Sequence, residues 1–264
     1  MNTLFFAHAT GFPSPSYAPF FEALQQQGYA TDCIEKIAHN PKYPITNNWP
    51  YLVDELENAI TRKHQEPVIG IGHSAGGLIS YLLAQRNPEI YSHLILLDPP
   101  VINGWQNILW WLAKRLGFSD QFTPAASSKN RRTHFDSYND AYESLRHKRL
   151  FKDFPETSFT AYLEQGLITD TDGRLTLAFE KEKELALFRT SSDNLWRHTR
   201  PLTIPGLYLT SEGSEFAKWP FARRFAKRSQ MEFKVLTGGH LFPQEYPQET
   251  SEVIAKWLGE NTKP

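Results

Sequence analysis

The 264-residue chain holds a single cysteine, Cys33, so it can form no intramolecular disulfide and has no second sulfur for a thiolate metal site. Cys33 reads as a small apolar side chain within a strand. No uncharged apolar run approaches the roughly 18 residues that cross a bilayer. Residues 1–6 have neither the basic leader nor the apolar stretch of a signal peptide. The expectation is a soluble, cytoplasmic protein with no membrane span. Charge of one sign is lacking too. The net charge of −1 provides no field toward nucleic acid or an anionic surface, and no nucleic-acid partner is expected. Phosphate-binding glycine loops, zinc-ligand spacings, internal repeats and low-complexity segments are absent from the sequence. Asp170-Thr171-Asp172-Gly173 has the start of a calcium loop without the rest, and reads as a turn. No cofactor and no metal are expected. The basic pairs Arg131-Arg132 and Arg223-Arg224 read as solvated surface.

What is present is ordinary globular material, 40% hydrophobic and 22% charged, in enough length for one α/β domain with an insertion. Short apolar runs at 4–7, 30–34, 68–71, 93–97, 204–209 and 232–236 read as strands. Segments 17–27, 49–64, 74–86, 216–228 and 247–258 have helical periodicity. Alternation of this kind implies right-handed crossovers and a parallel sheet covered on both faces. It breaks at Asp98-Pro99-Pro100 and resumes after residue 200. Residues 101–200 are polar and aromatic, and read as an all-helical insertion. The core domain is expected over 1–100 and 201–264, with 101–200 a helical cap or lid.

The sharpest chemical signal is Gly72-His73-Ser74-Ala75-Gly76-Gly77, set between an apolar strand and a helix. A strand that turns at once into a helix holds its central residue in a strained conformation with the side chain projecting. Positions two either side must then be glycine, because a Cβ would collide. Ser74 is the expected nucleophile, and the Ala75 N–H, at the helix start, an oxyanion donor. Gly238-Gly239-His240 follows the last strand, where a loop at the sheet's C-terminal edge brings a general base to a serine hydroxyl. His39, His64, His134, His147 and His198 lack that setting and read as surface or cap residues. The loop His8-Ala9-Thr10-Gly11-Phe12 leaves the first strand beside the elbow. Thr10 is read as the second backbone donor, with Gly11 the alternative.

The order of these signals resembles the α/β-hydrolase superfamily, in particular its capped serine hydrolases of esterase and lipase type. The resemblance spans nearly the whole chain: 8–12 as oxyanion loop, 72–76 as nucleophile elbow, 238–240 as histidine loop, 101–200 as cap. It implies a mostly parallel sheet with helices on both faces. The first apolar run lies so near Met1 that the chain departs from the family in the N-terminal hairpin, and about six strands are expected in place of eight. A serine at the elbow excludes the family's dehalogenases and epoxide hydrolases, which use an aspartate there.

The acid behind the histidine is less plain. The family usually carries an aspartate after the penultimate strand, and 209–215 contains none. Glu215 is read as that acid. Asp98, which ends the preceding strand, is the alternative, and Glu212 is a surface or supporting residue. In the insertion, Trp105, Ile108, Leu109 and Leu112 form one helical stripe, read as cap core. Trp110 and Trp111, with Phe12 and His73, are candidates to line an apolar substrate pocket. The expected reaction is hydrolysis of a carboxylic ester or thioester with a small-to-medium apolar acyl or aryl group, by a monomer or homodimer. The alternatives are hydrolysis of an activated C–C bond or other acyl transfer on the same residues, and a protein that binds hydrophobic ligands without catalysis.

Overall fold

In the computed structural model, residues 3–102, 105–217 and 220–261 are described. The first strand, β1 (Leu4–Ala7), is fully buried. Its alternate side chains serve opposite faces of the sheet: Leu4 and Phe6 join one apolar cluster, Phe5 and Ala7 the other. The chain continues through α1 (Ala18–Gln26), β2 (Thr31–Cys33), α2 (Pro50–Thr61), β3 (Val68–His73), α3 (Ala75–Arg86) and β4 (Tyr91–Leu97). After the insertion come β8 (Gly206–Ser211), α9 (Phe221–Arg228), β9 (Glu232–Leu236), α10 (Phe242–Glu245) and α11 (Pro247–Asn261). The helix expected over 216–228 thus starts at Phe221, with residues 218 and 219 outside the described ones.

The six strands form one sheet in the order β2-β1-β3-β4-β8-β9, every pairing parallel. Central strands β3 and β8 are buried along their whole length, while the edge strands β2 and β9 are half-buried or exposed. That gradient explains why continuous apolar runs mark the middle of the sheet. Side chains of α2, α3 and α9 fill the cluster on one face, and those of α1 and α11 the cluster on the other. The C-terminal ends of β1, β3, β4, β8 and β9 lie along one edge, so the loops at 8–12, 74, 98, 211–215 and 237–241 gather there.

Between β4 and β8 lie α4 (Trp105–Arg115), α5 (Ala125–Ser128), β5 (His134–Phe135), α6 (Tyr138–Arg146), α7 (Glu156–Gly166), β6 (Leu167–Thr169), β7 (Leu175–Leu177) and α8 (Lys181–Thr190). The insertion is therefore not all-helical: β5, β7 and β6 make a small antiparallel sheet. Two or three residues per strand is too short for any alternation to register in sequence. Asp170-Thr171-Asp172-Gly173 is the β6–β7 turn, closed by Asp170 Oδ1 accepting from the Asp172 N–H at 2.8 Å.

α4 faces the opposite way from its expected packing. Asn107, Trp110 and Ala113 are buried, while Trp105, Ile108, Leu109 and Leu112 face solvent. The inward turn is held by polar anchors: the Trp110 indole N–H and the Lys114 ammonium both donate to the Ser191 carbonyl, at 3.2 and 2.9 Å. Among the described residues, no helix is long and apolar enough to cross a membrane.

Candidate active site

Ser74 sits at the junction of β3 and α3 with φ +52° and ψ −118°, a conformation rare for a residue with a side chain. The junction is made by close backbone approach. A Cβ on Gly76 would lie 2.2 Å from the Ala7 carbonyl oxygen, and one on Gly72 would lie 2.6 Å from that of Gly76. Glycine at both positions lets α3 start against the end of β1. The Gly76 N–H donates to the His8 carbonyl at 3.1 Å, which seats the 8–12 loop beside the serine. The first N–H groups of α3, that of Ala75 included, have no acceptor within the helix and form the positive end of its dipole.

His240 reaches this point from the loop after β9. Its Nε2 lies 2.9 Å from Ser74 Oγ, and its Nδ1 lies 2.6 Å from Asp98 Oδ2. A carboxylate on Nδ1 leaves the proton on that nitrogen, so Nε2 accepts from the serine hydroxyl. The partner of His240 is thus Asp98 and not Glu215, which is exposed in the loop beyond β8. Glu212 is exposed as well. Asp98 follows β4 directly, with φ +46°, and has no solvent exposure. Burying a carboxylate without donors is costly, and this one has three. Thr210 Oγ1 donates to Oδ1 at 2.5 Å, Ser214 Oγ donates to Oδ2 at 2.5 Å, and His240 completes the set.

The loop after β8 therefore contributes a hydroxyl to a carboxylate from β4, where the resemblance had it contribute the carboxylate itself. The sequence carried a usable signal: the small polar residues Thr210, at the end of β8, and Ser214, in the loop after it, stand in a segment that lacks an aspartate. Other supporting residues are not marked in the sequence. Gly238 has φ +106°, and the Glu245 carboxylate accepts from the Gly239 N–H at 2.5 Å. Ser211 Oγ donates to the Gly239 carbonyl at 2.6 Å, so the histidine loop is held from both sides.

His73 is fully buried and lines no pocket. Its Nδ1 is 2.6 Å from the Tyr17 hydroxyl, and its Nε2 is 2.9 Å from the His240 carbonyl. That carbonyl can only accept, so Nε2 carries the proton and Nδ1 accepts from Tyr17. Burial, and secondarily His240, hold the His73 pKa well below the usual imidazole range, which keeps it neutral in this role. His8 anchors the 8–12 loop: Nε2 accepts from the Ile37 N–H at 2.8 Å, and burial lowers its pKa to about 4. Thr10 lies half-buried at the turn of that loop. Phe12 packs against Tyr162 of α7 at 5.0 Å between ring centres, and against Phe151 and Phe154 at 6.1 and 6.3 Å. Trp110 is buried against Ser191. Trp111 is on the outer surface, with the Arg115 guanidinium over its ring.

The model of the alpha/beta hydrolase family matches residues 4–253, nearly the whole chain. The chain belongs to that family. Among relatives of this hydrolase, abhydrolase domain-containing protein AFT2-1 of Alternaria alternata is 23% identical over 232 residues, covering 74% of this chain and 84% of that protein. Two solved structures share the fold at lower identity. E-2-(acetamidomethylene)succinate hydrolase superposes with a TM-score of 0.75 at 17% identity, covering 98% of this chain and 91% of its own. A thioesterase domain from the curacin biosynthetic pathway superposes with a TM-score of 0.71 at 16% identity, covering 96% and 90%. The family and these neighbours are hydrolases, which supports an enzyme. At such identities the likeness is one of fold and leaves the bond cleaved open.

Proposed function

We propose that this α/β hydrolase cleaves a carboxylic ester or thioester through an acyl-enzyme on Ser74. The observation that carries the reading is the hydrogen-bonded line from Ser74 Oγ through His240 Nε2 and Nδ1 to Asp98, at 2.9 and 2.6 Å. His240 takes the hydroxyl proton as Oγ bonds to the carbonyl carbon, then passes it to the departing alcohol or thiol. Water, deprotonated by the same nitrogen, attacks the acyl-enzyme, releases the acid and restores Ser74. Asp98 orients the ring and stabilises the imidazolium. The N–H groups of Ala75 and Thr10 are the oxyanion donors in this reading. Its support is the His8–Gly76 hydrogen bond that seats both segments beside the serine. The aromatic group of Phe12, Phe151, Phe154 and Tyr162 adjoins the Thr10 loop and favours an apolar acyl or aryl substrate.

The test combines fluorophosphonate labelling with turnover of aryl esters of graded chain length. Wild type is expected to label and to turn over, and Ser74→Ala to do neither. Asp98→Asn is expected to lower kcat by roughly 10³- to 10⁴-fold, while Glu215→Gln stays within about twofold. Equal labelling of Ser74→Ala, or a Glu215→Gln defect as deep as that of Asp98→Asn, would refute the assignment.

A further inference from the structure

α4 buries Asn107, Trp110 and Ala113, and turns most of its large apolar side chains to water. On the buried face both amide atoms of Asn107 lack a hydrogen-bond partner among the described residues. On the outer face, Trp105 is 64%, Ile108 62% and Leu116 65% exposed, and Leu109, Trp111 and Leu112 are exposed beside them. A helix that packs only on its own protein has the reverse pattern. Six large side chains on one face make an apolar patch on the order of several hundred Å², at or above the largest that a typical monomer leaves in water.

Along the chain, the segment that carries the patch has charge of one sign. Residues 101–119 contain no Asp or Glu, and include Lys114 and Arg115. Asp193 pairs with Lys114 at 2.7 Å, which offsets that buried lysine, and Asp120 pairs with Arg189 at 2.6 Å. Arg115, stacked on Trp111 at 4.7 Å, stays exposed. A second exposed pair, Arg197 over Trp196 at 5.1 Å, lies in the turn that follows the Ser191–Asp193 segment supporting α4.

We propose that α4 is a docking face for an anionic phospholipid bilayer. Tryptophan and leucine side chains would enter the interface, with the arginines at headgroup level. Exposed Trp, Ile and Leu alongside arginine is the chemistry of a helix that lies in the interfacial plane. The charge sets a bilayer above a second copy of the chain. A two-fold pairing through this face would oppose arginine to arginine, whereas an anionic surface complements them. This inference is independent of the reaction at Ser74.

Co-sedimentation with phospholipid vesicles tests it, using phosphatidylcholine alone and phosphatidylcholine mixed with phosphatidylglycerol. Wild type is expected to sediment with the anionic vesicles, to bind phosphatidylcholine at least roughly tenfold less, and to be released by high salt. Trp105→Ser combined with Leu109→Ser is expected to weaken anionic binding by roughly tenfold or more, with an unchanged melting temperature. Should that variant melt early, Arg115→Glu decides, since it alters one surface charge and is expected to weaken binding about tenfold or more. Absence of binding to anionic vesicles, or Arg115→Glu binding as wild type does, overturns the proposal. So does a wild-type dimer in light scattering that the Trp105/Leu109 variant dissolves, because the occupant is then a second copy.

Discussion

His8 is an imidazole that the fold keeps neutral. It has no room for a second proton, because its Nε2 already accepts from the Ile37 N–H while its Nδ1 faces the Ala9 carbonyl at 2.8 Å. Burial lowers its pKa from the ordinary 6.5 to about 4. Between those values the unfolded chain binds a proton that the folded chain does not. The His8 contribution to stability is therefore present above pH 6.5 and lost as pH falls toward 4. From pH 7 to pH 5 that loss is about 2 kcal/mol. His8→Gln keeps an acceptor for Ile37 without the titration. The stability advantage of wild type over this variant, from urea unfolding at the two pH values, should shrink by about that amount. An advantage constant across the range would show that His8 titrates normally in the fold. Legibility at this scale was uneven. Ser74 and His240 stand in glycine-rich turns that sequence displays, since close backbone approach demands the glycines. Asp98 reads in sequence only as the alternative to Glu215, one strand earlier than the family's usual acid. It becomes the partner of His240 only through Thr210 and Ser214, more than a hundred positions away.

Secondary-structure elements follow a similar rule. The buried strands β3, β4 and β8 announce themselves because parallel strands covered on both faces are apolar without interruption. The strands β5, β6 and β7 do not, and the stripe on α4, which reads as cap core, faces outward. Periodicity fixes which residues share a face, yet the anchors at Ser191 decide which face turns inward. The four-residue α10 illustrates what such small elements contribute. It carries Glu245 under the Gly238–Gly239 turn, and thereby sets the height of His240 above the sheet. Burial raises the Glu245 pKa, while the Gly239 hydrogen bond pulls it back. Glu245→Ala should free the turn and lower kcat on an aryl ester by roughly 10- to 100-fold, with KM changed less than about twofold. Glu245→Gln, which keeps an accepting carbonyl, should restore most of the rate. A parallel rise in KM, or no rescue by glutamine, would mean that Glu245 supports the fold at large and not the position of His240.

Over the whole molecule, the apolar clusters on the two faces of the sheet both run on into the insertion. One joins Phe5, Leu96 and Tyr208 to Phe179, Leu187 and Leu195. The other joins Phe6, Phe12 and Ile71 to Phe135, Phe159 and Tyr162. Polar ties reinforce the join: Asn48 donates its N–H to the Thr190 carbonyl at 2.9 Å, and the Trp49 indole donates to Thr190 Oγ1 at 3.0 Å. Asn48 and Trp49 both have positive φ, at 65° and 58°, so the chain bends sharply where it meets the end of α8. Sequence suggests a core domain, 1–100 and 201–264, that carries an insertion, 101–200, because the strand–helix pattern stops and resumes. The packing argues that they share their cores. Two bodies with separate cores unfold separately, whereas bodies that complete each other's apolar clusters unfold together. Calorimetry should then give a single transition, with calorimetric and van't Hoff enthalpies equal. Phe12→Ala, which empties the seam between the 8–12 loop and α7, should cost about 3–5 kcal/mol and lower that one transition without dividing it. Two resolved transitions in wild type, or a Phe12→Ala trace that splits, would show that the insertion folds on a core of its own.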